Sequence, residues 1–75
     1  MINVQTLVDL AIGHANRLPP GRRFHVRDLF QRKLWFSLDK WVKLLIGGLF
    51  YNVWSVTNRL IEYDPEDGTA IYTSR

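Results

Sequence analysis

Apolar residues at Val4, Leu7, Val8, Ala11, Ile12, Ala15 and Leu18 follow the three-and-four spacing of one helical face, with Asn3 placed to cap it. Pro19-Pro20-Gly21 ends this first helix, because neither proline has an amide proton to donate and the second restricts the first. The period then changes to two. In Arg22–Val26, Phe24 and Val26 fall on one side and Arg23 and His25 on the other, which predicts a short strand. Asp28-Leu29-Phe30 opens a second helix running to about Leu34, with Asp28 near the positive end of its dipole.

The longest periodic run is Ser37 to Arg59. Leu38, Trp41, Leu45, Leu49, Val53 and Val56 lie close to one helical face, Ser37 is the expected N-cap, and Asn58-Arg59 is the expected stop. Beyond it, Leu60–Tyr63 and Thr69–Thr73 flank Asp64-Pro65-Glu66-Asp67-Gly68, the pattern of a β-hairpin around a tight loop.

The resulting order is helix, short strand, helix, long helix and C-terminal β-hairpin. This predicts one small α+β domain over residues 1–75, winged-helix-like, in which the long helix is the usual reader of the major groove. A lone hairpin is marginal in water, so the early strand is expected to pair with it in a small antiparallel sheet.

Composition adds limits. A chain of 75 residues supports one modest core, and its 47% apolar content is that of a globular protein. The absence of cysteine excludes disulfides, thiolate metal sites and cysteine catalysis, and leads to an expected cytoplasmic location. The longest uncharged run, Leu44 to Asn58, is too short to span a bilayer, and the first residues lack the basic region of a secretory signal. Charge is divided unevenly. Residues 1–59 carry nine Lys/Arg against Asp9, Asp28 and Asp39, a balance of +6, whereas residues 60–75 carry Arg75 against Glu62, Asp64, Glu66 and Asp67, a balance of −3.

Catalytic chemistry has little to draw on. His14 and His25 sit on different elements, no metal-ligand spacing occurs, and the hairpin acids lack the twelve-residue calcium pattern. No enzyme activity, cofactor, metal or small-molecule substrate is expected. The basic residues Arg22, Arg23, Arg27, Arg32, Lys33, Lys40 and Lys43 instead cluster where a winged helix meets phosphate, so double-stranded DNA is the first expected partner, of a regulatory or accessory factor. Against it, the hairpin tip carries three acids and no base, and the long helix is poor in side chains that read base edges.

The alternative is a protein-interaction or dimerisation module that keeps the fold without DNA binding. Trp35, Phe36, Trp41, Tyr51 and Trp54 crowd one segment. With Trp41 and Leu45 expected to face inward and Val42, Leu44 and Tyr51 to form a second apolar edge, the partner-binding candidates are Leu44, Tyr51 and Trp54, and the partner is a second copy or another protein. Gly47-Gly48 is expected to admit another helix at close range.

The run from Gly21 through Phe24, Val26, Arg27 and Asp28-Leu29-Phe30, followed by Trp35 and then Ile46-Gly47-Gly48-Leu49-Phe50, resembles a family of short bacterial and phage-associated proteins of unknown function. Their pattern is Gly, then Phe-x-hydrophobic-basic-Asp-Leu-Phe, a Trp, and hydrophobic-Gly-x-x-Phe. The resemblance covers about Leu18 to Val53, with Ile71-Tyr72 resembling the closing strand. Trp41 and Gly48 depart from it, standing where members more often carry polar residues. The resemblance implies a winged-helix-like fold and no particular function.

Overall fold

The Asn3 carboxamide accepts a hydrogen bond from the Gln5 amide (2.9 Å), and from that cap α1 runs over Val4–Asn16. A computed structural model describes residues 3–57 and 61–75. After α1 come β1 (Arg23–Phe24), a 3₁₀ turn (Val26–Leu29), α2 (Arg32–Ser37), α3 (Lys40–Thr57), β2 (Glu62–Tyr63) and β3 (Ala70–Thr73). The expected helix stop at Asn58-Arg59 and strand start at Leu60 lie outside the described residues.

The chain is a small α+β domain, with three α-helices and an antiparallel sheet of order β1-β3-β2 among the described residues. Arg23 faces Thr73 and Phe24 faces Tyr72 across one ladder; Glu62 faces Ile71 and Tyr63 faces Ala70 across the other. The early strand therefore does join the hairpin. Ser74 continues this seam into the Pro-Pro-Gly turn. Its amide donates to the Arg22 carbonyl (2.8 Å), its hydroxyl accepts from the Arg22 amide (2.8 Å) and donates to the Pro19 carbonyl, which satisfies a buried polar side chain. Gly21 makes the turn with φ of 81°, a conformation that suits glycine.

The expected helix over Asp28–Leu34 is two pieces. Phe30 adopts extended backbone between the 3₁₀ turn and α2. The break lets Leu29 enter the core while Phe30 stacks on Trp35, with centroids 5.4 Å apart. Asp28 acts as a local cap, accepting from the His25 amide at 2.9 Å. Nor does Ser37 cap the long helix. Its hydroxyl donates to the Leu34 carbonyl at 2.7 Å, closing α2, and the Asp39 carboxylate caps α3 by accepting from the Trp41 amide at 2.8 Å.

The core joins α1 to α3 and the sheet. Leu7 and Val8 of α1 pack with Leu38 and Ile46; Ala11 and Ala15 pack with Phe24, Leu29, Phe50, Trp54 and Tyr72. Four of these rings form one cluster. Phe24 stacks on Tyr72 at 5.8 Å and meets Trp54 edge-on at 5.8 Å, while Phe50 stacks on Trp54 at 5.3 Å and meets Tyr72 edge-on at 4.9 Å. The Trp54 indole N–H donates to the Thr73 carbonyl at 3.1 Å.

Replacing a fully buried ring in so small a core is costly, about 3–5 kcal/mol for Phe50→Ala. That is comparable with the whole stability of a domain this size, so the variant is expected to be largely unfolded at 25 °C by circular dichroism. A second expectation follows from Tyr72, whose hydroxyl is pushed up to about 12 by burial, with further contributions from the Tyr63 and Tyr51 phenolates. Folding favours its neutral form, so this share of stability is complete below pH about 10 and lost as pH rises through 12. Thermal melts between pH 9 and 12 should show the decline, and Tyr72→Phe should flatten it.

Candidate functional site

The buried side of α3 is formed by Ile46, Phe50 and Trp54, with Val42 half-buried beside them. These residues repeat every four positions and direct the bulkiest rings inward. The expected inward stripe lies on the neighbouring side, offset by one residue or about 100° round the helix. Leu38, just before α3, is buried, but Trp41, Leu45 and Val56 keep 72%, 55% and 77% of their surface exposed, and Leu49 and Val53 are exposed as well. Trp41 and Leu45 thus face outward, and Trp54, an expected partner-binding residue, is wholly buried and belongs to the core. Leu44 and Tyr51 are exposed, as expected. The periodicity was real for both sides, because α3 is apolar nearly all round; ring size distinguishes the buried set, with Phe50 and Trp54 one turn apart.

Gly47 and Gly48 do not admit another helix of this chain. A Cβ added at either would meet nothing within 4 Å. They line a groove of about 570 Å³ between α3 and the sheet, together with Trp35, Leu44, Tyr51 and Tyr72. Arg27, Lys40 and Lys43 also border it. The ammonium of Lys43 lies 5.6 Å from the Trp35 ring centre and 5.7 Å from that of Phe36, within cation–π range. Tyr51 reaches across to the hairpin. Its hydrogen bond with Tyr63, reinforced by its charge, raises the Tyr63 hydroxyl above the ordinary phenol range.

The seven expected phosphate contacts separate into two groups. Arg23 pairs with Glu62, and Arg27 with Asp67 at 3.2 Å. Between them, His25 Nε2–H donates to Asp64 at 3.2 Å. The basic side of the early strand is thus laid along the acids of the hairpin, which occupies cations expected to meet phosphate. Its sequence signal is the matching of Arg23, His25 and Arg27 with Glu62, Asp64 and Asp67. The acids also build the loop. Asp64 accepts from the Glu66 amide at 2.9 Å, and Asp67 accepts from the hydroxyl and amide of Thr69 at 2.6 and 3.0 Å. The bonds from Thr69, then the guanidinium of Arg27, hold the Asp67 carboxyl down at about 2.

Arg22, Arg32, Lys33, Lys40 and Lys43 have no carboxylate partner among the described residues. Lys40 and Lys43 come together at the groove, Arg32 and Lys33 lie on α2, and Arg22 stands apart in the Pro-Pro-Gly turn. Of the two histidines, His14 has a structural bond: its Nδ1–H donates to the Leu29 carbonyl at 2.6 Å, tying α1 to the 3₁₀ turn. Among the described residues no group of three or more His, Cys, Asp or Glu is arranged to hold a metal ion, and no helix is long and apolar enough to cross a membrane.

A short α+β domain with an uncovered apolar helix and an adjoining basic, aromatic groove is the class that fold and surface define. The chain belongs to the DUF1413 family, a domain of unknown function, which it matches over residues 10–60. The matched span runs from within α1 through α3 and leaves out β2 and β3. No match was found among curated proteins or among solved structures.

Since no atom occupies the space beyond Gly47, Gly47→Ala is expected to stabilise the fold, by up to about 1 kcal/mol from helix propensity alone. Urea unfolding followed by circular dichroism measures this. A loss of stability would mean that the groove wall closes on that position.

Proposed function

We propose that this chain is a small, non-enzymatic protein-interaction module of winged-helix-like fold, and that its docking element is the uncovered apolar side of α3. The observation that carries this reading is the exposure of Trp41, Leu45 and Val56 on one face, turned away from the side that packs in the core. Scattered exposed hydrophobics need no explanation, but a contiguous helical face does, because leaving it in water forgoes roughly 25 cal/mol for each Å². From Leu44 to Thr57 the helix carries no charge. Such a face suits the apolar centre of a protein interface and would strip water from phosphates without replacing their hydrogen bonds. The sheet order β1-β3-β2, with the early strand on the second hairpin strand, supports the winged-helix-like assignment.

Contact with duplex DNA is the second reading. It is favoured by Arg32, Lys33, Lys40 and Lys43, which have no carboxylate partner among the described residues and gather on α2 and the start of α3. In this reading the protein is a regulatory or accessory factor held to phosphate, with Arg22 as a further contact and Arg23 and Arg27 already engaged by the hairpin.

Replacing Leu45 by a photocrosslinking residue in the chain's own host cells is expected to give a protein adduct, whereas the same replacement at Asp9 is not. Absence of an adduct at position 45 would overturn the interaction reading. For DNA, four phosphate contacts predict affinity for a generic duplex falling about a hundredfold between roughly 50 and 200 mM salt. The double change Lys40→Glu and Lys43→Glu should remove most of that binding; affinity independent of salt would overturn the second reading.

A further inference from the structure

We propose that the groove between α3 and the sheet is a binding site for a small amphipathic anion, an unbranched acyl carboxylate, whose head is held by Lys40 and Lys43 and whose chain lies over Gly47 and Gly48 toward Tyr51. This goes beyond the interaction reading and does not depend on it.

The groove has a direction. Lys40, Lys43, Leu44, Gly47, Gly48 and Tyr51 border it at alternating spacings of three and one, which is a single strip along α3 about 16 Å long. The lysines mark its start. Tyr51, hydrogen-bonded to Tyr63 of the hairpin, marks its far end. Between them the walls are mostly apolar, with Trp35 contributed by α2 and Ala70 and Tyr72 by the sheet.

Charge selects the sign of the head. Among the described residues no Asp or Glu borders the groove, whereas four basic side chains do. Two of the four are already engaged by the hairpin, His25 by Asp64 and Arg27 by Asp67. Lys40 and Lys43 have no carboxylate partner among the described residues, and the Lys43 ammonium stands 5.6 Å from the centre of the Trp35 ring, itself part of the wall. A ligand with one anionic end satisfies both parts of such a site. Its head gains charge-assisted hydrogen bonds from the lysines, and its chain brings no polar group to walls that have few partners to offer.

Size and backbone select a small molecule over a peptide. A volume of about 570 Å³ falls within the range of small-molecule sites. An extended peptide needs a free strand edge, but β3, the strand that lines the groove, is paired on both sides, with β1 at Tyr72 and with β2 at Ala70. The glycines suit the same occupant. Glycine is a poor helix former, yet two stand side by side within α3, and a Cβ on either would meet nothing within 4 Å. Side chains there would stand in the groove; without them an alkyl chain lies directly against the helix backbone.

Isothermal titration of the full chain, below micelle-forming concentrations, is expected to show one laurate bound per chain. Dodecyltrimethylammonium, which has the opposite charge on a similar chain, should bind at least about tenfold more weakly, and the double change Lys40→Gln and Lys43→Gln should weaken laurate by about the same factor. Gly47→Leu fills the groove and should abolish laurate binding with an unchanged circular dichroism spectrum, while Leu45→Ser, on the exposed face outside the groove, should leave it intact. Absence of saturable laurate binding would overturn the proposal, as would binding that survives in folded Gly47→Leu or is lost in Leu45→Ser. Equal affinity for the two amphiphiles, or indifference to the lysine changes, would overturn the assignment of an anion. None of these outcomes bears on the adduct expected at position 45, so the two readings fail separately.

Discussion

Four rings hold this molecule together: Phe24 from the first strand, Phe50 and Trp54 from the long helix, and Tyr72 from the last strand. They come from segments nearly fifty residues apart, and none can be covered by its own neighbours. Satisfying them requires the sheet to close β1 onto β3 and requires α3 to turn its Phe50–Trp54 side inward. α1 then seals the remaining side with Ala11 and Ala15, residues small enough to let α3 and the rings approach. In a chain of this length the neighbouring cluster of Leu7, Val8, Leu38 and Ile46 is too small to compensate for a failure of the first.

That constraint determines the charge map. Once Phe24 is committed to Tyr72, the residues on the outer side of the early strand and the turn after it are carried to the hairpin. There Arg23, His25 and Arg27 meet Glu62, Asp64 and Asp67. The division of the sequence into a basic body and an acidic end is therefore resolved within the fold over part of its length. Of the seven candidate contacts, Arg22 in the turn and those on α2 and the beginning of α3 have no carboxylate partner among the described residues. Exposed pairs of this kind add little stability each, but they decide which surface retains net charge.

Much of the architecture could be read from residue order. Asn3, the Pro-Pro-Gly break and the two alternating segments each act through local chemistry, and the structure has the corresponding cap, turn and strands. The helix over Asp28–Leu34 divides where Leu29 turns into the core against α1, α3 and the sheet, a tertiary preference invisible in a short window. The inward side of α3 was illegible for a different reason. Two sets of residues four apart, one beginning at Trp41 and one at Val42, fit helical periodicity equally well, and only the rings awaiting them across the core distinguish the two. Of the candidate contacts, Leu44, Tyr51, Lys40 and Lys43 are exposed or border the groove, whereas Trp54 is in the core and Arg23 and Arg27 are engaged, since their partners lie about forty residues away.

Leu44 and Gly48 border two surfaces at once, the groove toward the sheet and the apolar face turned away from the core. Any two occupants that both press on these residues compete for the same few ångströms of helix surface. By thermodynamic reciprocity, whatever factor the first removes from the affinity of the second, the second removes from that of the first. One turn of helix is thereby enough to make two binding events mutually exclusive, without any movement of the fold that carries them.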